Sequence, residues 1–204
     1  MTITRINTYD DPRFSPEALL QHGCYLLDGG PCEVRIVAED TAIVTGCPAQ
    51  QISTLVAAFR FNAPHITRFT DAAGCTLVEL PPLRPFSIRL RDIQPSQFFV
   101  DEEKLTAVRS FIHAPADIII PVIAHEGRYI SLDGHTRLFL AAQQGWQNVR
   151  ALYDTADDVL LAFAKEAVRR GVHTPADMTL LAHAEYEVQW NQFCDGFMAQ
   201  LEQA

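Results

Sequence analysis

Pro81-Pro82-Leu83-Arg84-Pro85 is the stretch that most restricts how this chain can fold. Three prolines in five residues fix backbone φ, remove amide donors and push the residues before them away from helical conformation. Neither a helix nor a central strand can run through it. The stretch therefore acts as a stiff connector and divides the 204 residues into an amino-terminal part, 1–83, and a longer carboxy-terminal part. Each part must then bury a core of its own, and a hydrophobic content of 48% supplies the material.

In the amino-terminal part, Phe14 to Gln21 reads as a short helix, and Cys32 to Val37 and Thr41 to Thr45 read as strands. Gln50 to Phe59 reads as a helix whose Ile52, Leu55, Val56 and Phe59 share one face, with Pro48 suited to its first turn. His65 to Phe69 and Thr76 to Leu80 make a hairpin, and the sum is a small α+β domain. Arg60, Asn62, His65 and Arg68 fit a polar helix end and an exposed strand face better than a ligand surface, so the role of this domain is not legible.

Composition excludes several classes. The formal net charge of −9 is the wrong sign for a general DNA or RNA binder. No apolar run has the length of a membrane span, and the first residues lead into no apolar signal core, so a cytoplasmic protein is expected. Five cysteines, with no close pair, then read as reduced, buried thiols. A zinc site from Cys24, Cys32, Cys47 and His22 would lack the paired ligand spacing of a zinc finger.

The chemistry concentrates in Ser131-Leu132-Asp133-Gly134-His135-Thr136-Arg137. Arg128 to Leu132 alternates like a half-buried strand, while Leu138, Phe139, Ala141 and Ala142, closed by Gly145, mark a short amphipathic helix. A glycine at that junction permits a tight turn, and the first helical amides, lacking intrahelical acceptors, point at whatever binds in front of them. A phosphate suits such a place. Arg137 would add a bidentate donor, His135 a donor or proton carrier, and Asp133 a carboxylate for a metal or a proton. The same residues also suit a plain turn, with Asp133 and Thr136 capping the helix, His135 solvated and Arg137 paired to a surface carboxylate.

From Ile93 to Tyr153 the order of segments resembles the ParB/sulfiredoxin-like family, which includes the nucleotide-binding domain of chromosome-partition proteins, sulfiredoxins and a free-serine kinase. Ile93-Gln94-Pro95-Ser96-Gln97 is similar to its opening strand, Asp101 to Leu105 to its first helix, and Ile118 to Ile123 with Arg128 to Leu132 to the paired strands before its phosphate loop. Asp133 to Arg137 occupies the loop position, and Asn148 to Tyr153 the following strand. The loop resembles the D-G-H-H-R type of the serine kinase and its relatives at four of five positions, with Thr136 replacing the second histidine. No cysteine stands between Gly134 and His135, which argues against sulfinic-acid repair, and no basic helix-turn-helix follows.

The resemblance implies a mixed-sheet nucleotide-binding domain over residues 88–153. There Gly134, Thr136, Arg137, Ser131 and Gln97 would hold phosphates, Asp133 would bind magnesium or deprotonate an acceptor, and His135 would donate to the transferring group. ATP, ADP and CTP are all open as the nucleotide. Two function classes follow: a nucleotide-dependent small-molecule kinase or NTPase, and a non-catalytic regulator that responds to nucleotide. Glu102, Glu103 and Glu126 are further candidates for acid or base.

Residues 154–204 read as a helical extension packing on that domain. Thr155 and Asp158 resemble a capping box, Leu160, Phe163, Ala164, Ala167 and Val168 form an apolar stripe, and Gly171 ends the helix. A last helix from Ala184 presents Tyr186, Trp190, Phe193, Phe197 and Leu201 at steps of three and four, either to the chain's own core or across a homodimer. His173, His183 and Glu187 fall on separate elements and are not expected to hold a metal.

Overall fold

The computed structural model describes residues Thr2–Leu201. It is a mixed α+β fold in two compact units, Met1–Arg84 and Pro85–Ala204, with the boundary inside the proline stretch of the sequence.

The first unit runs β1 (Ile3–Ile6), α1 (Pro16–Leu20), β2 (Cys24–Leu27), β3 (Gly30–Ile36), β4 (Thr41–Thr45), α2 (Ile52–Arg60), β5 (Arg68–Thr70) and β6 (Thr76–Glu79). The six strands lie in sequence order in one sheet. Neighbours are antiparallel except β4 and β5, whose parallel pairing needs the crossover that α2 provides. Leu55, Val56 and Phe59 of α2 are buried with Tyr25, Val34, Val44 and Phe69, and Phe59 meets Phe69 edge to face at 6.2 Å. Arg60 donates to the carbonyls of Ile66 (2.9 Å) and Pro64 (3.0 Å), which ties down the chain after the helix and delays the hairpin strand to Arg68. The strands β1 and β2 escape a sequence reading because four residues carry too little alternation.

The zinc grouping does not form. Cys24 pairs with Glu33 and Tyr25 with Cys32, so the two cysteines face opposite sides of the sheet. Burial pushes the Cys24 thiol up to about 12. Among the described residues no cluster of three or more metal-ligating side chains occurs.

The second unit contains β7 (Phe86–Arg89), β8 (Ile93–Pro95), β9 (Phe99–Asp101), α3 (Glu102–Arg109), β10 (Ile119–His125), β11 (Arg128–Ser131), α4 (His135–Gln143) and β12 (Asn148–Tyr153). After these come α5 (Asp158–Arg169), β13 (Thr179–Leu181), α6 (His183–Tyr186) and α7 (Gln192–Leu201). Its mixed sheet has the order β7-β12-β10-β11-β8, with β10 parallel to β12 and β11 parallel to β8. The register aligns Ile88 with Val149 and Ala151 with Ile120 on one face, where they share a core with Leu138, Phe139 and Ala141 of α4. A separate parallel pair, β13 with β9, brings the chain beyond α5 back beside α3.

The carboxy-terminal elements belong to this same core. Tyr186 and Trp190 are buried in it, and Phe98 is ringed by Phe99, Trp190 and Phe193 at centroid distances of 4.9, 4.8 and 5.2 Å. Arg170 stacks its guanidinium 4.3 Å from the Phe98 centroid. Three local expectations are corrected. Asp157, not Thr155, caps α5, its carboxylate accepting from the Leu160 amide at 2.9 Å, because the chain extends to Asp157 before turning helical. Val168 is 42% exposed and leaves the apolar stripe. The last helix is interrupted by a wide π-turn over Glu187–Asn191, which keeps Trp190 facing the core between α6 and α7.

Both tryptophans, Trp146 and Trp190, lie in the second unit, so their fluorescence follows its unfolding. Phe98→Ala, which empties the centre of the aromatic cluster, is expected to lower that unit's stability by about 3–5 kcal/mol. A urea titration read by tryptophan fluorescence checks this; a midpoint within error of wild type would refute the central place given to Phe98.

Candidate functional site

The Ser131–Arg137 segment forms the turn from β11 into α4, and Gly134 stands at the helix N-cap with φ 80° and ψ 20°. This left-handed conformation favours glycine, and space demands it too. A Cβ there would lie 2.6 Å from Cγ2 of Ile120 and 2.9 Å from Nη2 of Arg137. No side chain caps the helix, so Asp133 and Thr136 do not take the capping role that a plain turn would have given them. The first-turn amides of His135, Thr136 and Arg137 thus have neither an intrahelical acceptor nor a side-chain cap.

Arg137 turns back on the loop. Its Nη1 donates to the Ile119 carbonyl at 2.9 Å and its Nη2 to Asp133 Oδ2 at 3.2 Å. The side chains of the pair are 17% exposed for Arg137 and 42% for Asp133, so the carboxylate stands at the rim and the guanidinium beneath it. Ile119 opens the central strand β10, so one arm of Arg137 serves the fold and the other balances the carboxylate.

His135 is not solvated. It is buried, and its Nε2 lies 3.2 Å from the Ser96 amide, 3.1 Å from Ser96 Oγ and 3.2 Å from Ser131 Oγ. A backbone N–H can only donate, so Nε2 is the lone-pair nitrogen and the neutral ring carries its proton on Nδ1. Ser96 Oγ donates to the Ser131 carbonyl at 2.9 Å, closing a buried polar triangle between the β8–β9 turn, the end of β11 and the start of α4. Burial drives the imidazole down to about 4, outweighing Asp133 and the Ser131 carbonyl, which favour the charged form; Arg137 adds to the lowering. At neutral pH His135 is a hydrogen-bond acceptor that positions the loop, which is a different part from the proton donor expected of it.

The remaining expected residues divide. Ser131 is fully buried inside the triangle. Thr136 is half-buried in the first turn of α4. Gln97 follows Ser96 but spends its amide on the Phe99 carbonyl and on Tyr186 Oη, the latter at 3.1 Å, fastening the β8–β9 turn to α6. Glu126 lies in the β10–β11 hairpin turn, at the other end of β11 from the loop. Glu102 and Glu103 open α3, where Glu103 stands 3.8 Å from His183.

Sequence reasoning missed two residues that the structure makes central. Ser96 carries the amide that donates to His135 and the hydroxyl that donates to the Ser131 carbonyl, and a buried serine after a strand proline gives no signal on its own. Asp101 is almost completely buried; it caps α3 through the Glu103 amide at 2.8 Å and takes His183 Nδ1 at 2.8 Å. The Asp101 bond raises the His183 imidazole above its ordinary value.

No family model and no curated protein matches this sequence. Among solved structures, one described as the crystal structure of protein Atu1540 from Agrobacterium tumefaciens aligns over 44% of this chain and 48% of its own, about half its length. The aligned parts are 18% identical with a TM-score of 0.31, too slight a likeness to assign a fold.

A base whose folded value lies below its unfolded one is neutral in both states above pH 6.5, and there its contribution is complete. As pH falls, the unfolded chain takes up the proton first, so stability drops until the folded value is reached. Between pH 7 and pH 5 this amounts to about 2 kcal/mol for His135. The difference in unfolding free energy between wild type and His135→Gln, from urea titrations, is therefore expected to shrink by that amount over this range. A difference that stays constant with pH would remove the buried neutral imidazole.

Proposed function

We propose that the Ser131–Arg137 loop binds the phosphate of a nucleotide, or of a phosphorylated small molecule, in a cytoplasmic protein. One observation carries the reading: a left-handed glycine at the N-cap of α4 leaves the first-turn amides without a side-chain cap, beside a guanidinium. Such amides hold an anion without a net positive surface, which suits a chain of net charge −9. In the bound state the phosphate oxygens would take these amides, and Arg137 would exchange Asp133 for the ligand through Nη2 while Nη1 stays on Ile119.

Asp133 fits magnesium as one ligand. It offers carboxylate oxygens at an exposed rim, and Mg²⁺ in phosphate sites commonly draws its other ligands from phosphates and water. The binding and regulatory reading is the better supported. His135 has its lone pair committed and is held neutral, so it supplies no acid at neutral pH. A phosphotransferase remains as the second reading because the partly exposed Asp133 could serve as the base.

Arg137→Ala is expected to weaken nucleotide or inorganic phosphate binding by about 1.5–3 kcal/mol while the protein stays folded by circular dichroism. Equal affinities by calorimetry in two folded proteins would sink the cradle. Asp133→Asn separates the two readings, since the amide keeps the shape but removes the base and the charge. In a phosphotransferase it should keep nucleotide binding and lose most turnover; in a regulator, wild type itself should consume no nucleotide beyond one equivalent with any acceptor.

A further inference from the structure

We propose that a cavity of about 390 Å³ at the carboxy-terminal end of α4 binds a small planar aromatic anion, with the ring against Trp146 and the carboxylate or phosphate held by Arg89 and Arg91. The volume falls within the range of small-molecule sites. It lies at the last turn of α4, whose Ala142 helps line it, and so roughly 10 Å or more along the helix axis from the loop at the other end. The inference is independent of the phosphate reading of that loop.

Charge is the first argument. None of the residues lining the cavity is acidic, although the chain as a whole carries −9. Arg89 Nε donates to Asp92 Oδ2 at 2.6 Å, and Arg91 Nε lies 4.0 Å from Oδ1 of the same carboxylate. One carboxylate thus answers two guanidiniums, leaving a surplus positive charge at the cavity wall with side chains 59% and 73% exposed. The end of a helix ordinarily repels an anion through its last carbonyls. Here two of them are occupied: the Trp146 amide donates to Ala141 O at 3.0 Å and the Gly145 amide to Ala142 O at 3.1 Å, a Schellman closure made possible by Gly145 at φ 69°.

That closure also places the indole. Trp146 packs partly against the core and partly lines the cavity, offering a flat apolar wall next to the two guanidiniums. Gln147 and Asn148 continue the wall beside it, with the Gln147 side-chain amide donating to the Gly145 carbonyl at 3.1 Å. Each wall is fastened by its own bonds. The Leu90 amide donates to Gln147 O at 2.9 Å, joining the turn that bears Arg91 to the segment that bears Trp146. Across from them Thr174 donates through Oγ1 to Asp177 Oδ2 at 2.9 Å, which holds its turn. A cavity with fixed walls spends less of its binding free energy on ordering. A ring and an anionic head on one rigid frame match a flat wall that stands next to a positively charged rim.

Calorimetric titration of the full chain with benzoate and with phenyl phosphate tests the site and tells a carboxylate from a phosphate head, with cyclohexanecarboxylate as the ring-saturated control. Saturable binding of at least one aromatic anion is expected, weakened tenfold or more by Arg89→Gln with Arg91→Gln, two exposed positions whose replacement leaves the core intact. Trp146→Leu is expected to abolish the preference for benzoate over cyclohexanecarboxylate. The proposal is overturned if neither aromatic anion binds saturably at millimolar concentration. It is equally overturned if binding survives the double arginine substitution unchanged, or if the saturated acid binds wild type as tightly as benzoate.

Discussion

Where β8 leaves the sheet, the Ser96 amide donates to the imidazole of His135, 39 residues further along, instead of to another strand. Much of the second unit's geometry follows from that bond. It requires an unprotonated Nε2 in a site that water does not reach, which fixes both charge state and tautomer. With Ser96 Oγ on the Ser131 carbonyl it locks the start of α4 onto the end of the β8–β11 ladder, where Pro95 pairs with Ser131. The adjacent Gln97 then reaches Tyr186, and β9, directly after the turn, pairs with β13, so the carboxy-terminal elements are seated on the same junction. Replacing the imidazole with an apolar group would leave a buried amide with no acceptor, a larger loss than the bond itself is worth.

Legibility in the sequence followed length and punctuation. The boundary between the two units falls inside the proline stretch, and α2 and α5 are legible because each is long enough to show its period, whereas β10 and β12 are reached only through the order of segments that the family resemblance supplies. The start of α4 was legible from a glycine between a strand and a helix. Its electrostatics were not. His135 and Arg137 look like ligand-facing residues when written in a row, yet their side chains turn inward to partners on β10 and after β8. Those partners are a backbone amide and a backbone carbonyl, groups every residue possesses, so no side-chain pattern can reveal them. Ser96 and Asp101 were invisible for the same reason: what matters about them is where tertiary structure buries them.

The two ends of α4 illustrate how one helix sets up opposite environments with few residues. At the amino end a glycine takes the place of a side-chain cap, and the amides keep their donor capacity. At the carboxy end a second glycine lets the chain fold back so that its own amides consume the carbonyls. The unsatisfied dipole is thereby retained at one end and partly satisfied at the other.

At the amino end that retained dipole competes with the loop's own ion pair. Asp133 and Arg137 are spaced i, i+4 at a partly exposed rim, where such a pair stabilises by only about 0.2–0.5 kcal/mol. The bond from Arg137 to Ile119 O is more sheltered, and breaking it would strip a central-strand carbonyl of its partner. The guanidinium is therefore hinged: Nη1 is expensive to move and Nη2 is cheap. Under the proposed phosphate reading, an anion at the first turn would displace only the cheap contact and would leave Asp133 as an unpaired carboxylate at the rim. The bond from Nη1 to the Ile119 carbonyl would stay in place through that exchange, so β10 keeps its partner whichever group Nη2 holds.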